Sequence, residues 1–273
     1  FPTRRSSDLN SAARSSIARF KSTPNPPICG MNTGVNSDSG ACSVGGLSND
    51  TMDDPSLYLL RQRKDVRVRW FDSGSPISSG GAVIQAYSPY RRVYVPAIVP
   101  VSPSLANDVA SSRNAGLYAT NHFTRYEIRS NYKPGRTPWA RDFADTATLL
   151  TGSEVISTLT VTPGGHLQFG TFWVAEPPIA YPRRIFVHLI NPLTGAIIAQ
   201  HDGLDAPTKY WRAWDWIIQI HTLLIPAGTL PGRYEVQIGL YDPVTNQRIL
   251  QTDMNHTEPP ADYYTLGIIE IVP

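Results

Sequence analysis

The chain is poor in charge, in cysteine and in long apolar runs, and each shortage excludes something. Asp, Glu, Lys and Arg make up 17% of its 273 residues, and the formal net charge is +2. A balance so small and scattered gives no field to hold nucleic acid or an anionic membrane surface, and both are set aside as partners. No stretch approaches the ~20 consecutive apolar residues that span a bilayer as a helix. The six histidines, His122, His166, His188, His201, His221 and His256, stand singly, without His-x-His or His-x-x-x-His spacing. No metal site and no cofactor is therefore implied. Two cysteines, Cys29 and Cys42, lie in a Gly/Ser/Asn-rich stretch without strand or helix periodicity. They either close a small disulfide loop or remain two thiols, because a lone pair fixes neither partner nor compartment.

Turn formers are abundant. With 24 Pro, 20 Gly and 41% hydrophobic residues, the composition favours many short strands around real cores, and the fold class is mainly β. One phrase occurs twice, about fifty residues apart: Leu189-Ile190-Asn191-Pro192-Leu193-Thr194-Gly195 and Leu240-Tyr241-Asp242-Pro243-Val244-Thr245-Asn246. Each follows an alternating apolar strand and reads as a hairpin tip. Asn191 or Asp242 opens the turn through its own backbone, Pro192 or Pro243 presets the next φ, and Gly195 or Asn246 takes the left-handed closing position. The return strands echo as well, Ile198-Ala199-Gln200 answering Ile249-Leu250-Gln251. Paired corners of this kind predict an antiparallel sandwich.

Along the chain the organisation changes three times. Residues 1–9 resemble the translation of a sequencing-adaptor oligonucleotide of the kind found at the edges of reading frames in assembled environmental DNA. The natural N-terminus is thus expected upstream, and 1–52 reads as this artefact plus loop or disordered chain. Residues 53–130 read as a small α/β unit: a helix opening at Asp53-Asp54-Pro55 and ending near Lys64, strands at 66–71, 82–86, 92–98, 117–119 and 123–129, and a helix at 103–109. Residues 131–144 read as a linker, with Lys133-Pro134-Gly135-Arg136-Thr137-Pro138 at its centre. From 145 to 273 nine strands follow in succession, and an immunoglobulin-like antiparallel β-sandwich is expected. In Tyr234, Val236, Ile238 and Leu240 one face is apolar, while Arg233, Glu235 and Gln237 face out.

Several of these pieces resemble one family. Phe186-Val187-His188-Leu189 with Ala199-Gln200-His201-Asp202-Gly203, then Pro231-Gly232-Arg233-Tyr234 and Gly239-Leu240-Tyr241-Asp242-Pro243, are similar to the C-terminal sandwich of bacterial polytopic membrane glycosyltransferases of the protein-mannosyltransferase and aminoarabinose-transferase type. Asp54-Pro55 and Val68-Arg69-Trp70-Phe71-Asp72 resemble the soluble segment that precedes it there. The resemblance implies an extracytoplasmic position at a bacterial membrane as part of a longer polypeptide. Its partner would be the N-terminal membrane domain of the same chain. In that family, acidic residues in loops between membrane helices carry out transfer from a polyprenyl-phosphate donor. None of those residues is present here, so no catalytic residue is carried over.

Three local constellations were weighed for chemistry. His201-Asp202 are neighbours in a strand and point to opposite faces, so they form no oriented acid–base pair. Asp202 is expected instead to cap a turn, with Gly203 supplying its free φ. Arg61, Arg63, Lys64, Arg67 and Arg69 form a basic cluster that would meet anionic lipid headgroups if the domain sat on a bilayer, but the alternation at Arg67 and Arg69 is read more simply as a solvated strand face. The remaining candidate is Tyr210-Trp211-Arg212-Ala213-Trp214-Asp215-Trp216. As an extended segment it places Trp214 and Trp216 on one face. Such a flat aromatic surface holds sugars, with Asp215 as carboxylate and Arg212 as donor. Aromatics at alternate positions also serve as core or interface, and both readings stand. The expectation is a non-catalytic capping region of a membrane glycosyltransferase, in contact with acceptor or glycan. The alternatives are a free-standing carbohydrate-binding or adhesion module and, third, a soluble hydrolase.

Overall fold

The computed structural model describes residues 42–44, 69, 71–74, 80–85, 91–96, 101–106, 115–119, 123–128, 140–144, 146–150, 156 and 159–273. In chain order the strands are β1 (Cys42–Val44), β2 (Gly81–Gln85), β3 (Arg91–Pro96), β4 (Ala115–Ala119), β5 (Phe123–Ile128), β6 (Arg141–Phe143), β7 (Ala147–Leu149) and β8 (Thr160–Val161), followed by β9 (His166–Ala175), β10 (Arg184–Ile190), β11 (Ile197–Gly203), β12 (Trp216–Leu224), β13 (Gly232–Tyr241), β14 (Gln251–Asp253) and β15 (Tyr264–Ile271). They form a four-stranded sheet in the order β1-β3-β5-β4, a five-stranded sheet β11-β10-β13-β15-β8 and a six-stranded sheet β14-β6-β7-β9-β12-β2. The expected helix at 53–64 and Cys29 lie outside the described residues, and of Cys42 only the backbone is described, so the disulfide expectation lies outside them too. Of the expected helix at 103–109, residues 103–106 form one helical turn.

The five- and six-stranded sheets make a mainly β, predominantly antiparallel sandwich. Its interior follows from the period-two pattern of the strands. On β13, Tyr234, Val236, Ile238 and Leu240 are buried as the alternation predicts. They join Ile185, Val187 and Leu189 of β10 and meet Trp173, Ile217 and Leu223 of the other sheet in one core cluster. Tyr234 keeps its hydroxyl satisfied in this setting by donating to Leu230 O at 2.8 Å, which ties the Pro/Gly corner to the strand it precedes.

The sandwich reaches further upstream than residue 145. Strand β2, from the stretch read as the α/β unit, pairs antiparallel with β12 from Gly81↔Ile220 to Gln85↔Trp216 and is buried throughout. Strand β6 lies in the stretch read as linker and pairs with β7 and β14. Neither shows a period-two signal: β2 is covered on both faces, and β6 has only three residues.

The repeated phrase forms two turns of the same construction. Asn191 Oδ1 accepts from Leu193 N at 2.9 Å, and Asp242 Oδ1 accepts from Val244 N at 2.8 Å. Gly195 N and Asn246 N each donate to the carbonyl four residues back, at 2.8 Å, with φ of 70° and 57°. Because β10 and β13 run antiparallel, pairing Arg184 with Tyr241 and Ile190 with Glu235, the two tips point to opposite ends of the sandwich. The end near Asp242 also receives the last residue of β9, the last of β11 and the first of β12. The segment 204–215, which carries the aromatic candidates, crosses between the sheets there. Among the described residues no helix is long and apolar enough to cross a membrane.

Candidate functional site

Pro207, with φ of −53°, opens a single 3-10 turn over Thr208–Tyr210, and Trp211 closes it through its N–H to Thr208 O. Trp211 then turns inward. It is buried and its indole Nε1 donates to Ala206 O at 2.7 Å, the partner a buried indole needs. Tyr210 is partly buried against the core, with the Lys209 ammonium 5.0 Å from its ring centre.

The chain does not continue from Trp211 as a strand. Asp215 N donates to Arg212 O at 3.0 Å, Trp214 N donates to Ala175 O at 2.8 Å, and Ala175 N donates to Asp215 O at 2.9 Å. These bonds make a turn with Trp214 in the left-handed region at φ 67°. The expected common face of Trp214 and Trp216 is therefore broken. Trp214 is 49% exposed, while Trp216 begins β12 and is buried opposite Val174 and Gln85. The turn, formed by backbone bonds to Ala175 far away in sequence, overrides the alternation that suggested a shared face.

Asp215 is also not the ligand carboxylate that its place between two tryptophans suggested. It is fully buried, and both of its oxygens bind Arg69, Nε to Oδ2 and Nη2 to Oδ1, the latter at 2.9 Å. Arg212 N donates to Asp215 Oδ2 at 2.9 Å, so the carboxylate also caps the turn that presents Trp214. Burial pushes the Asp215 carboxyl up, and the bidentate Arg69 guanidinium opposes that. Arg69 is correspondingly no part of a solvated face: it is buried, because only a buried anion makes burial of its charge tolerable. Arg61, Arg63, Lys64 and Arg67 lie outside the described residues.

What remains outward at this end is Trp214, the exposed Arg212, whose Nη1 is held by Trp211 O at 2.7 Å, and two residues absent from the sequence reading. Glu176 follows Ala175, the residue bonded to Trp214, and its Oε1 accepts from Thr148 Oγ1 at 2.6 Å. Tyr181, 69% exposed, lies in the segment joining β9 to β10. Arg183 N in that segment bonds Thr208 Oγ1 at 3.2 Å, and Arg183 Nη1 pairs with Asp242 Oδ2 at 3.1 Å. Proximity across the fold, rather than spacing in the chain, brings these groups to one end.

The histidines fall into two further groups. His201 Nδ1 of β11 lies 3.1 Å from His221 Nδ1 of β12, so the contact bridges the two sheets. His221 is fully buried, with Nε2 2.8 Å from Thr171 Oγ1, which in turn accepts from Trp173 Nε1 at 2.9 Å. Burial lowers the pKa of both rings, that of His221 well below the ordinary value. On the outer face, His188 packs 4.8 Å from the Phe186 ring with Nε2 3.2 Å from Asp202 Oδ1; burial lowers its pKa and Asp202 pulls it back up. Asp202 is thus a strand residue paired across β10 with Phe186 rather than a turn cap. Gly203 ends the same strand with no positive φ; its bare Cα instead leaves room for the His201 ring, whose Cε1 and Nε2 would stand 3.4 Å from an added Cβ. Among the described residues no group of three or more His, Cys, Asp or Glu is arranged to hold a metal ion.

No family model matches the chain, and no curated protein matches it. Among the solved structures that align with part of the chain are a glycoside hydrolase and a C-terminal domain. A family 123 glycoside hydrolase from Clostridium perfringens, described for glycolipid glycan hydrolysis, aligns over 46% of this chain and 27% of its own, with 11% identity and a TM-score of 0.24. The C-terminal domain of wzt aligns over 52% of this chain and 83% of its own, with 14% identity and a TM-score of 0.29. The match spans about a quarter of the hydrolase.

Proposed function

We propose that this sandwich is a non-catalytic module that contacts glycan at the end carrying Trp214. Trp214 provides the stacking surface, and Arg212, two residues before it, and Glu176, next to the Ala175 that bonds its backbone, supply polar groups at the same end. The observation that supports this reading most is the presentation of Trp214. A bulky residue in the left-handed region costs about 1–2 kcal/mol, and here the turn holds a large ring half in water instead of burying it. A backbone fixed by Ala175 and by the buried Asp215–Arg69 pair keeps the side chain directed outward, which limits the ordering required when a flat, C–H-rich ligand face binds. Three groups that could have served an acid–base reaction are engaged structurally, His221 inside the core, Asp215 with Arg69 and His188 with Asp202, which favours binding over hydrolysis. In the setting that the sequence resemblance implies, the module would be the extracytoplasmic end of a polytopic membrane glycosyltransferase, beside the membrane domain of the same polypeptide.

The test is a screen of the chain against an array of bacterial oligosaccharides, repeated with Trp214→Ala. Binding by the parent chain and a loss of about tenfold in the variant, with an unchanged circular dichroism spectrum, is the expected result, since an aromatic contact contributes about 0.5–1.5 kcal/mol. Equal binding by both proteins would remove Trp214 from the site. No binding by either would leave this end as a packing surface and refute the glycan reading.

A further inference from the structure

The His201–His221 contact has a directional hydrogen-bond pattern. Thr171 Oγ1 accepts from Trp173 Nε1, and its single proton has two outlets: Gln219 O at 3.4 Å or His221 Nε2 at 2.8 Å. The shorter outlet is the better bond, which makes His221 Nε2 an acceptor and places the His221 proton on Nδ1. That proton then points at His201 Nδ1, 3.1 Å away, and the His201 proton sits on Nε2, beside Gly203. The one basic nitrogen of neutral His201 is thus already occupied by an N–H. Adding a proton there breaks the link between the sheets, unless His221 changes tautomer and Thr171 gives up its 2.8 Å bond for the 3.4 Å one.

The link closes at a sensitive place. Among the described residues β11 is an edge strand whose one sheet partner is β10, and His201 stands two residues before its end. Beyond that end Asp205 is clasped by Gln219, Nε2 to Oδ2 at 2.7 Å and Asp205 N to Oε1 at 2.9 Å, and Ala206 O receives the Trp211 indole. The same segment then delivers Trp214. Among the described residues, the charged groups whose field reaches His201 are Asp205 and Asp202, both of which favour its imidazolium form. The one titratable group that acts on His221 is His201, whose charge opposes a second proton. β9 presents Thr171 and Phe169 to His221, both uncharged, and on β10 His201 is paired with Val187. An imidazolium at His201 is therefore drawn toward the rim carboxylates and away from His221.

We propose that His201 and His221 form a proton-operated latch between the two sheets, which holds the end of β11 and the segment 204–211 leading to the Trp214 turn while both rings are neutral, and releases them when His201 gains a proton. The regulatory role rests on the glycan reading; the latch itself does not, and its test uses no glycan. Histidine ring ¹⁵N NMR on the full chain at pH 7.5 should show the proton of His221 on Nδ1 and that of His201 on Nε2. As the pH is lowered stepwise from 7.5 until His201 becomes imidazolium, His221 should stay neutral. Over the same interval, protection of the Trp211 indole N–H against solvent exchange, corrected for intrinsic pH dependence, should drop at least about tenfold. In His201→Gln, whose amide oxygen can still accept from His221, that drop should vanish. A proton on Nε2 of both rings at pH 7.5 would overturn the tautomer assignment. Titration of His201 with unchanged Trp211 protection would overturn the latch.

Discussion

Asp215 and Arg69 show how a residue's role depends on what the fold brings to it. From the sequence, Asp215 is a carboxylate between two tryptophans and Arg69 one of five clustered basic residues, set with Arg67 on a solvated strand face. In the fold they are 146 positions apart, both buried, and joined by two hydrogen bonds. Replacing Asp215 by Asn keeps the shape and removes the charge, which strands the Arg69 guanidinium in the interior. Loss of one partner from a buried pair costs about 3–5 kcal/mol. We expect Asp215→Asn to lower the unfolding free energy by that amount in urea titrations, and the Trp214 turn to loosen with it, because Arg212 N loses part of its acceptor. A loss below about 1 kcal/mol would mean that Arg69 reaches solvent. Trp214 was legible as a candidate because its residue type stood out. Glu176 was not, since its place at this end follows from the Trp214–Ala175 backbone bond across the fold and not from any local motif.

Elements with a local cause were the readable ones. The hairpin tips are fixed by residues within five positions of one another, so the repeated phrase foretold both the turn bonds and the positive φ at Gly195 and Asn246. A clean test separates backbone strain from packing at these tips. A Cβ added at Gly195 meets nothing within 4 Å, so Gly195→Ala should act through the left-handed φ alone and cost about 1 kcal/mol. Asn246→Gly, in the equivalent position of the other tip, should be neutral or stabilise by a few tenths of a kcal/mol, because glycine adopts φ 57° without penalty. Thermal unfolding of the two variants would read the difference, and a neutral Gly195→Ala would show that the first tip does not hold its left-handed residue. The strands the sequence hid are those without period-two contrast. β2 is buried on both faces and β6 is three residues long, so each is defined by its neighbours in the six-stranded sheet.

At the scale of the whole molecule the buried histidines set how the fold responds to acid. His188, His201 and His221 all have lowered pKa values in the folded state, each through burial first. In the unfolded chain they titrate near 6.5, so below that pH the unfolded state binds protons that the folded state refuses. Their contribution to stability is thus complete above about pH 6.5 and is lost as the pH falls toward their folded values. Each histidine adds a slope of at most about 1.4 kcal/mol per pH unit. The lowered carboxylates act in a different window. Asp253 is held at about 2, first by the Glu258 backbone N–H and then by Thr257 and Asn255, so its contribution persists through pH 5 and fades only as the pH drops below the ordinary carboxylate range. Urea midpoints measured from pH 8 to pH 4 should therefore be level down to about 7, fall once the pH drops below about 6.5, and do so less steeply in His201→Gln. A midpoint that stays level to pH 5 would show that the three rings take up protons in place, which is incompatible with a neutral histidine link between the sheets.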